Sequence, residues 1–122
     1  MSKIIPYRIY VAGPYTPQHC DLHDASRIIQ HHIDNAIIVG NKLIDKGHYA
    51  FVPHLSHYLH IHQSCNNDRG EWYYEFDNTF LTHWANALFY ISASFGADNE
   101  LFLAQKLHHK IFYKLSDVPK LQ

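Results

Sequence analysis

Two carboxylates stand where a carboxylate can do chemistry. Glu100 closes the block Ser94-Phe95-Gly96-Ala97-Asp98-Asn99-Glu100. The apolar run Ala87 to Ile91 before it reads as a buried strand, and Leu101 to Leu107 after it reads as an amphipathic helix. Glu100 is therefore expected in the first turn of a helix at the carboxyl end of a strand. There the helix dipole favours the ionised form, and free backbone N–H groups can hold an anion. Asp77 belongs to a second helix, on one face with Tyr73, Leu81 and Trp84. A carboxylate on an aromatic face is costly unless it is paired or used. Two carboxylates in unlike settings can split their roles, one staying ionised as a nucleophile while the other donates a proton. Cleavage of a glycosidic bond through a covalent sugar intermediate needs that division. The plainer readings are a helix-start acid at Glu100 and a buried structural partner at Asp77; residue types alone leave both open.

The elements that position these groups alternate. Ile4 to Ala12 reads as a strand running into the turn Gly13-Pro14. Ile29, Ile33, Ala36, Ile37, Gly40, Leu43 and Ile44 recur at helical spacing, with Asp24 as a cap at one end and Gly47 closing the other. Tyr49 to Val52 is a short strand stopped by Pro53, and Leu59 to Gly70 is a loop. Trp72, Phe76, Phe80 and Trp84 repeat every four residues and predict a helix from Glu71 to His83. Ile111 to Leu115 is the last strand, and Pro119 ends ordered structure. Strands alternating with helices predict an α/β fold: a single three-layer, flavodoxin-like (Rossmann-type) domain over residues 1–122, with a parallel sheet of four or five strands. In such sheets ligands bind at the carboxyl ends of the strands. The first strand brings Tyr10 there, and the turn after it brings Gly13, Pro14 and Tyr15.

Composition narrows the function. Apolar residues make up 47% and charged residues 17% of 122, as in one compact domain. The formal charge of −1 leaves no electrostatic footprint for a nucleic-acid polymer. No apolar run approaches the ~18 residues of a membrane span, and Pro6 and Arg8 interrupt what could be a secretory leader. Cys20 and Cys65 are isolated, so a reducing, cytoplasmic setting is the expectation.

Three stretches carry a resemblance: Tyr10-Val11-Ala12-Gly13-Pro14-Tyr15-Thr16, Pro53-His54-Leu55-Ser56-His57, and Ser94 to Glu100. In this order they resemble the nucleoside 2-deoxyribosyltransferase-like superfamily, in particular its small phage and bacterial members, from about Ile4 to Pro119. The resemblance implies cleavage of the N-glycosidic bond of 2′-deoxynucleosides or their 5′-monophosphates, with the sugar passed to water or to another base. It implies that Glu100 attacks C1′, that Asp77 helps protonate the departing base, and that Tyr10 hydrogen-bonds and orients the nucleophile. Gly13, Pro14, Tyr15, His54, Ser94, Gly96 and Ala97 fall at its substrate-binding positions. Ser94 resembles the serine with which the nucleotide hydrolases of the superfamily bind a 5′-phosphate, where nucleoside transferases have an acidic residue. The chain departs from the pattern at Pro14, where the hydrolases have a small hydroxyl residue, and at Asn86, where an aspartate is usual and a structural role is expected. Its short C-terminal part favours hydrolysis over transfer.

The chain has twelve histidines, of which His54, His57, His60 and His62 cluster. Imidazole is a common metal ligand, but the spacing follows no metal motif, so neither a metal nor another cofactor is expected. The resemblance places this stretch at the base pocket. His31-His32 and His108-His109 are read as surface residues on helices, and Tyr15, Trp72 and Tyr73 as either core or a stacking surface for a base. The reading that follows is an N-glycosidase acting on a small nucleoside or nucleotide, as a homodimer or larger homo-oligomer, with no membrane partner. The alternative is a catalytically weak module that senses or sequesters a nucleotide.

Overall fold

The structure is a computed structural model and describes residues 5–15, 22–60 and 70–121. Their order is β1 (Arg8–Ala12), α1 (Leu22–Asp45), β2 (Tyr49–Phe51), a 3-10 turn (Pro53–Ser56), α2 (His57–His60), α3 (Gly70–Thr79), a π-helical turn (Phe80–Trp84), β3 (Ala87–Tyr90), α4 (Phe95–Lys106), β4 (Lys110–Phe112) and a 3-10 turn (Leu115–Asp117). The four strands are all parallel in the order β2-β1-β3-β4. This is the predicted flavodoxin-like architecture, with four strands among the described residues. β1 sits where the strand order reverses, so a crevice opens beyond the carboxyl ends of β1 and its neighbours.

The alternation of side chains along each strand divides the core. Ile9 and Val11 of β1, with Ala87 and Phe89 of β3, pack against Ala36 and Leu43 of α1. Tyr10, Ala12 and Leu88 point the other way, against Leu81, Ala85, Ala97 and Ala104. This period of two on a sheet covered on both faces is why the strands read as continuous apolar runs. Tyr10 is apolar in role only along its ring; its hydroxyl belongs to the site.

Several boundaries differ from the sequence reading. β1 begins at Arg8, and Ile4 lies outside the described residues. The Tyr7 N–H instead bonds His48 Nδ1 at 3.0 Å, so the chain enters the sheet through a side-chain contact. α1 starts at Leu22, which puts Asp24 inside the helix and not at its cap. Gly47 does close it, with φ of 99°, a left-handed conformation that favours glycine. The predicted aromatic helix is α3 plus its π turn, in which the Ala85 N–H reaches back to Phe80 O at 2.8 Å. Phe80 and Trp84 of that turn lie against Phe51, whose ring stacks on Phe80 at 4.2 Å. Of the expected loop, Leu59 and His60 belong to α2 and Gly70 begins α3, while 61–69 lie outside the described residues. The last strand is Lys110–Phe112 and not Ile111–Leu115, because Leu115 already begins a 3-10 turn. Asn86 takes the structural role expected of it: its Oδ1 accepts the Arg8 N–H at 2.8 Å, tying β1 to β3. No helix among the described residues is long and apolar enough to cross a membrane.

Candidate active site

A cavity of about 880 Å³ opens at the carboxyl ends of the strands. Its wall is built from the turn after β1 (Gly13, Tyr15), the 3-10 turn after β2 (Pro53, His54, Ser56), α3 (Tyr73, Tyr74, Asp77) and the start of α4 (Ser94 to Ala97, with Glu100). Stretches far apart in sequence thus meet at one place.

Tyr10 is fully buried in β1, and its hydroxyl donates to Glu100 Oε2. Burial, then the Glu100 carboxylate itself, push the Tyr10 phenol well above its usual range, so it stays a donor. Glu100 is pushed up to about 7, first by burial; the Tyr10 bond works against that rise and the nearby Asp77 adds to it. Asp77 is also pushed to about 7 by burial, and its Oδ1 is buried with no hydrogen-bond partner. Two carboxyl groups that hold protons near neutrality beside one cavity are a recurrent feature of catalytic sites.

The position of Glu100 corrects the sequence reading. α4 begins at Phe95, with Ser94 as its N-cap accepting the Ala97 N–H on Oγ at 3.0 Å. Glu100 therefore lies in the second turn, beyond the reach of the helix terminus, whose influence fades within one turn. Burial governs its ionisation, and raises its pKa where the dipole argument expected a carboxylate held charged.

Other site residues divide. Ser94, Gly96, Ala97, Tyr15, His54 and Gly13 line the cavity. Gly13 is buried in the wall, and a Cβ there would meet Ile91 side-chain atoms at 3.0–3.1 Å, so packing against Ile91 requires its missing side chain. Gly96 is the reverse, with nothing within 4 Å of an added Cβ. Pro14 is not in the wall; its carbonyl accepts from His54 Nε2 at 3.0 Å and so positions that ring. Tyr10 likewise lies behind the wall. The Tyr15 ring stands edge-on to His54, 6.1 Å between centroids, and burial pushes its phenol to about 12. Tyr73 is buried in the wall, whereas Trp72 is half exposed, stacks on Phe76 at 5.1 Å, and does not line the cavity.

Pro53 and Ser56 line the cavity with the rest of their stretch, and Tyr74 and Phe95 line it without a sequence signal of their own. Tyr74 was findable, since it lies three residues before Asp77 on the same helix and so on a neighbouring face. His108 and His109 are not on a helix: α4 ends at Lys106, His108 has φ of 61°, and His109 Nε2 donates to Leu81 O at 2.8 Å. Among the described residues no group of three or more His, Cys, Asp or Glu is placed to hold a metal ion. Thr16, Cys20, His62 and Cys65 lie outside the described residues. Compared with protein-family models, with curated proteins and with solved structures, the chain matches none.

Proposed function

We propose that the protein is an N-glycosidase that cleaves the base–deoxyribose bond of 2′-deoxynucleosides or their 5′-monophosphates. The observation that carries this reading is the Glu100 carboxyl, held by the Tyr10 hydroxyl and facing one cavity with a second, proton-retaining carboxyl at Asp77. Glu100 in its ionised form attacks C1′. The C1′–N bond breaks as the C1′–O bond to Glu100 forms, and the electron pair leaves with the base. Asp77 gives its proton to a ring nitrogen of that base, which departs neutral. Asp77, now ionised, takes a proton from an incoming water as it attacks C1′, and the C1′–O bond to Glu100 breaks to release the sugar. A second base in place of water gives transfer. The Tyr10 bond to Oε2 orients the carboxylate with Oε1 as the attacking oxygen.

Ser94 and the first N–H groups of α4 would meet the 5′ end of the sugar, and a serine there suits a phosphate better than an acid would. The small domain and the aromatic side chains around the cavity favour a symmetric homo-oligomer that closes it, working in the cytoplasm. The test is chromatography of deoxynucleosides, their 5′-monophosphates and ribonucleotides after incubation with the protein, with Glu100→Ala in parallel. Free base released by the native chain and not by the variant is the expected result. Full turnover by Glu100→Ala would sink the mechanism. The second reading, a nucleotide-binding module, draws on the raised Glu100, which weakens a nucleophile at neutral pH. Tight nucleotide binding with no base release in a day at pH 7, where the proposed acid–nucleophile pair is most active, would favour it.

A further inference from the structure

Among the described residues, two buried side-chain polar atoms have no hydrogen-bond partner, His54 Nδ1 and Asp77 Oδ1, and both residues belong to the wall of the same cavity. Buried polar atoms are nearly always paired, so each one left alone calls for a reason. Asp77 has one in the proposed chemistry, whereas His54 has none there. Its ring is 4% exposed, and its Nε2 faces the Pro14 carbonyl at 3.0 Å. A carbonyl only accepts, so Nε2 carries the proton, and in the neutral ring Nδ1 is then an acceptor with nothing to accept from. Burial lowers the His54 pKa and keeps the ring in that neutral form.

We propose that His54 is a specificity-determining residue whose Nδ1 accepts a hydrogen bond from an exocyclic amino group of the substrate base, selecting amino-bearing over oxo-bearing bases. The placement rests on the glycosidase reading, and the strand order carries it. Ser94 follows β3, Tyr10 and Glu100 meet over β1, and His54 follows β2, in the spatial order β3-β1-β2. A nucleoside with its anomeric carbon at Glu100 and its sugar toward Ser94 must extend its base toward His54. Asp77 protonates a ring nitrogen of that base, and the substituent beside it meets the imidazole. In adenine N7 lies beside the 6-amino group, and in cytosine N3 lies beside the 4-amino group. The oxo analogues put a carbonyl oxygen there, a second acceptor against Nδ1. For the buried Nδ1 to meet the donor, a side chain beside the imidazole must turn aside, and the Tyr15 ring stands edge-on there.

The test has two readouts. Calorimetric binding of free adenine and free hypoxanthine to the native chain needs no turnover, and kcat/KM for the 2′-deoxyadenosine and 2′-deoxyinosine substrates reads the reaction. The variant is His54→Gln, whose amide can still donate to the Pro14 carbonyl but places no acceptor at the Nδ1 position; its thermal transition and circular dichroism check that it folds. Adenine is expected to bind roughly 10–100-fold more tightly than hypoxanthine, and the ratio to fall to within about 3-fold in His54→Gln. Equal binding of the two bases, binding of neither, or a ratio unchanged in the variant overturns the inference. Base release without amino preference overturns the inference and leaves the glycosidase standing. An amino preference in binding with no release from any substrate overturns the glycosidase and leaves His54 as the selecting residue.

Discussion

Glu100→Gln separates the chemistry of the site from its cost to the fold. The native carboxyl sits at about 7 against an ordinary 4.5, mainly because burial penalises its charge. Its folded pKa lies above the unfolded one, so between those values the folded state binds more protons. Stability from this group is fully present below about 4.5 and is lost as pH rises through about 7. At 1.36 kcal/mol per pH unit, the rise from 4.5 to about 7 corresponds to about 3 kcal/mol. The part of Glu100 that faces the cavity brings this to about 2–3 kcal/mol. Glutamine is nearly isosteric, keeps an oxygen to accept from Tyr10, and carries no charge. The variant is therefore expected to match the native chain in urea unfolding at pH 4. It should exceed it by about 2–3 kcal/mol at pH 8.5, with a melting gain on the order of 10 °C. Base release should vanish at every pH. A stability difference that stays flat from pH 4 to 8.5 would refute the claim that a buried carboxylate strains this fold.

Asp77→Asn keeps the volume and removes the transferable proton, so base release should fall roughly 10²–10⁴-fold in kcat while the variant folds. In the native chain kcat/KM against pH should be bell-shaped with its maximum near 7, rising as Glu100 ionises and falling as Asp77 does; the two limbs belong to the pair and not to either residue. A plateau from pH 6 to 9 would count against the acid–nucleophile division. The two glycines should behave oppositely. Gly13→Ala forces Ile91 aside at 3.0–3.1 Å and should cost about 1–3 kcal/mol in a denaturant titration. Gly96→Ala enters open space in a helix, should stabilise by about 0.5–1 kcal/mol, and should raise KM by narrowing the cavity. His48→Phe strips the Tyr7 N–H and the Pro119 carbonyl of their partner, at 3.0 and 2.7 Å, and should cost about 2–4 kcal/mol by the same titration.

What the sequence made legible is what depends on local pattern. The strands around Tyr10 and Phe89 are apolar on both sides because both faces are covered, and Trp72, Phe76 and Phe80 mark their helix by spacing alone. Asp77 stood out because it contradicts its helix face, and Tyr10 and Glu100 because their motifs are compact. What the sequence hid depends on tertiary contact. His48 looks like any other histidine until Tyr7 and Pro119 close on it from 41 and 71 residues away. The packing of Gly13 against Ile91 is hidden in the same way, because nothing local announces it. The partnerless Nδ1 of His54 follows from the direction of a carbonyl, which no spacing encodes.

The misplaced helix start is the more instructive case. Phe95-Gly96-Ala97 reads as a small-residue turn, and Ser94 as a hydroxyl for a ligand, when Ser94 is first the cap that starts α4. Moving the start back to Phe95 changes which residue feels the helix terminus. The N–H groups of Phe95 and Gly96 have no partner within the helix and would hold the 5′-phosphate of the proposed substrate. Glu100 is left to burial and to Tyr10. Gly96 and Glu100 are four residues apart, so they share a face about 6 Å apart along the axis. That spacing suits a sugar whose anomeric carbon must reach the carboxylate while its 5′ end reaches the turn. A Glu100 in the first turn would have put both functions at one point, with a carboxylate repelling the anion held beside it. In the proposed glycosidase the observed start separates the attacking charge from the helix terminus that would hold a 5′-phosphate, and one helix would then serve both ends of the same substrate.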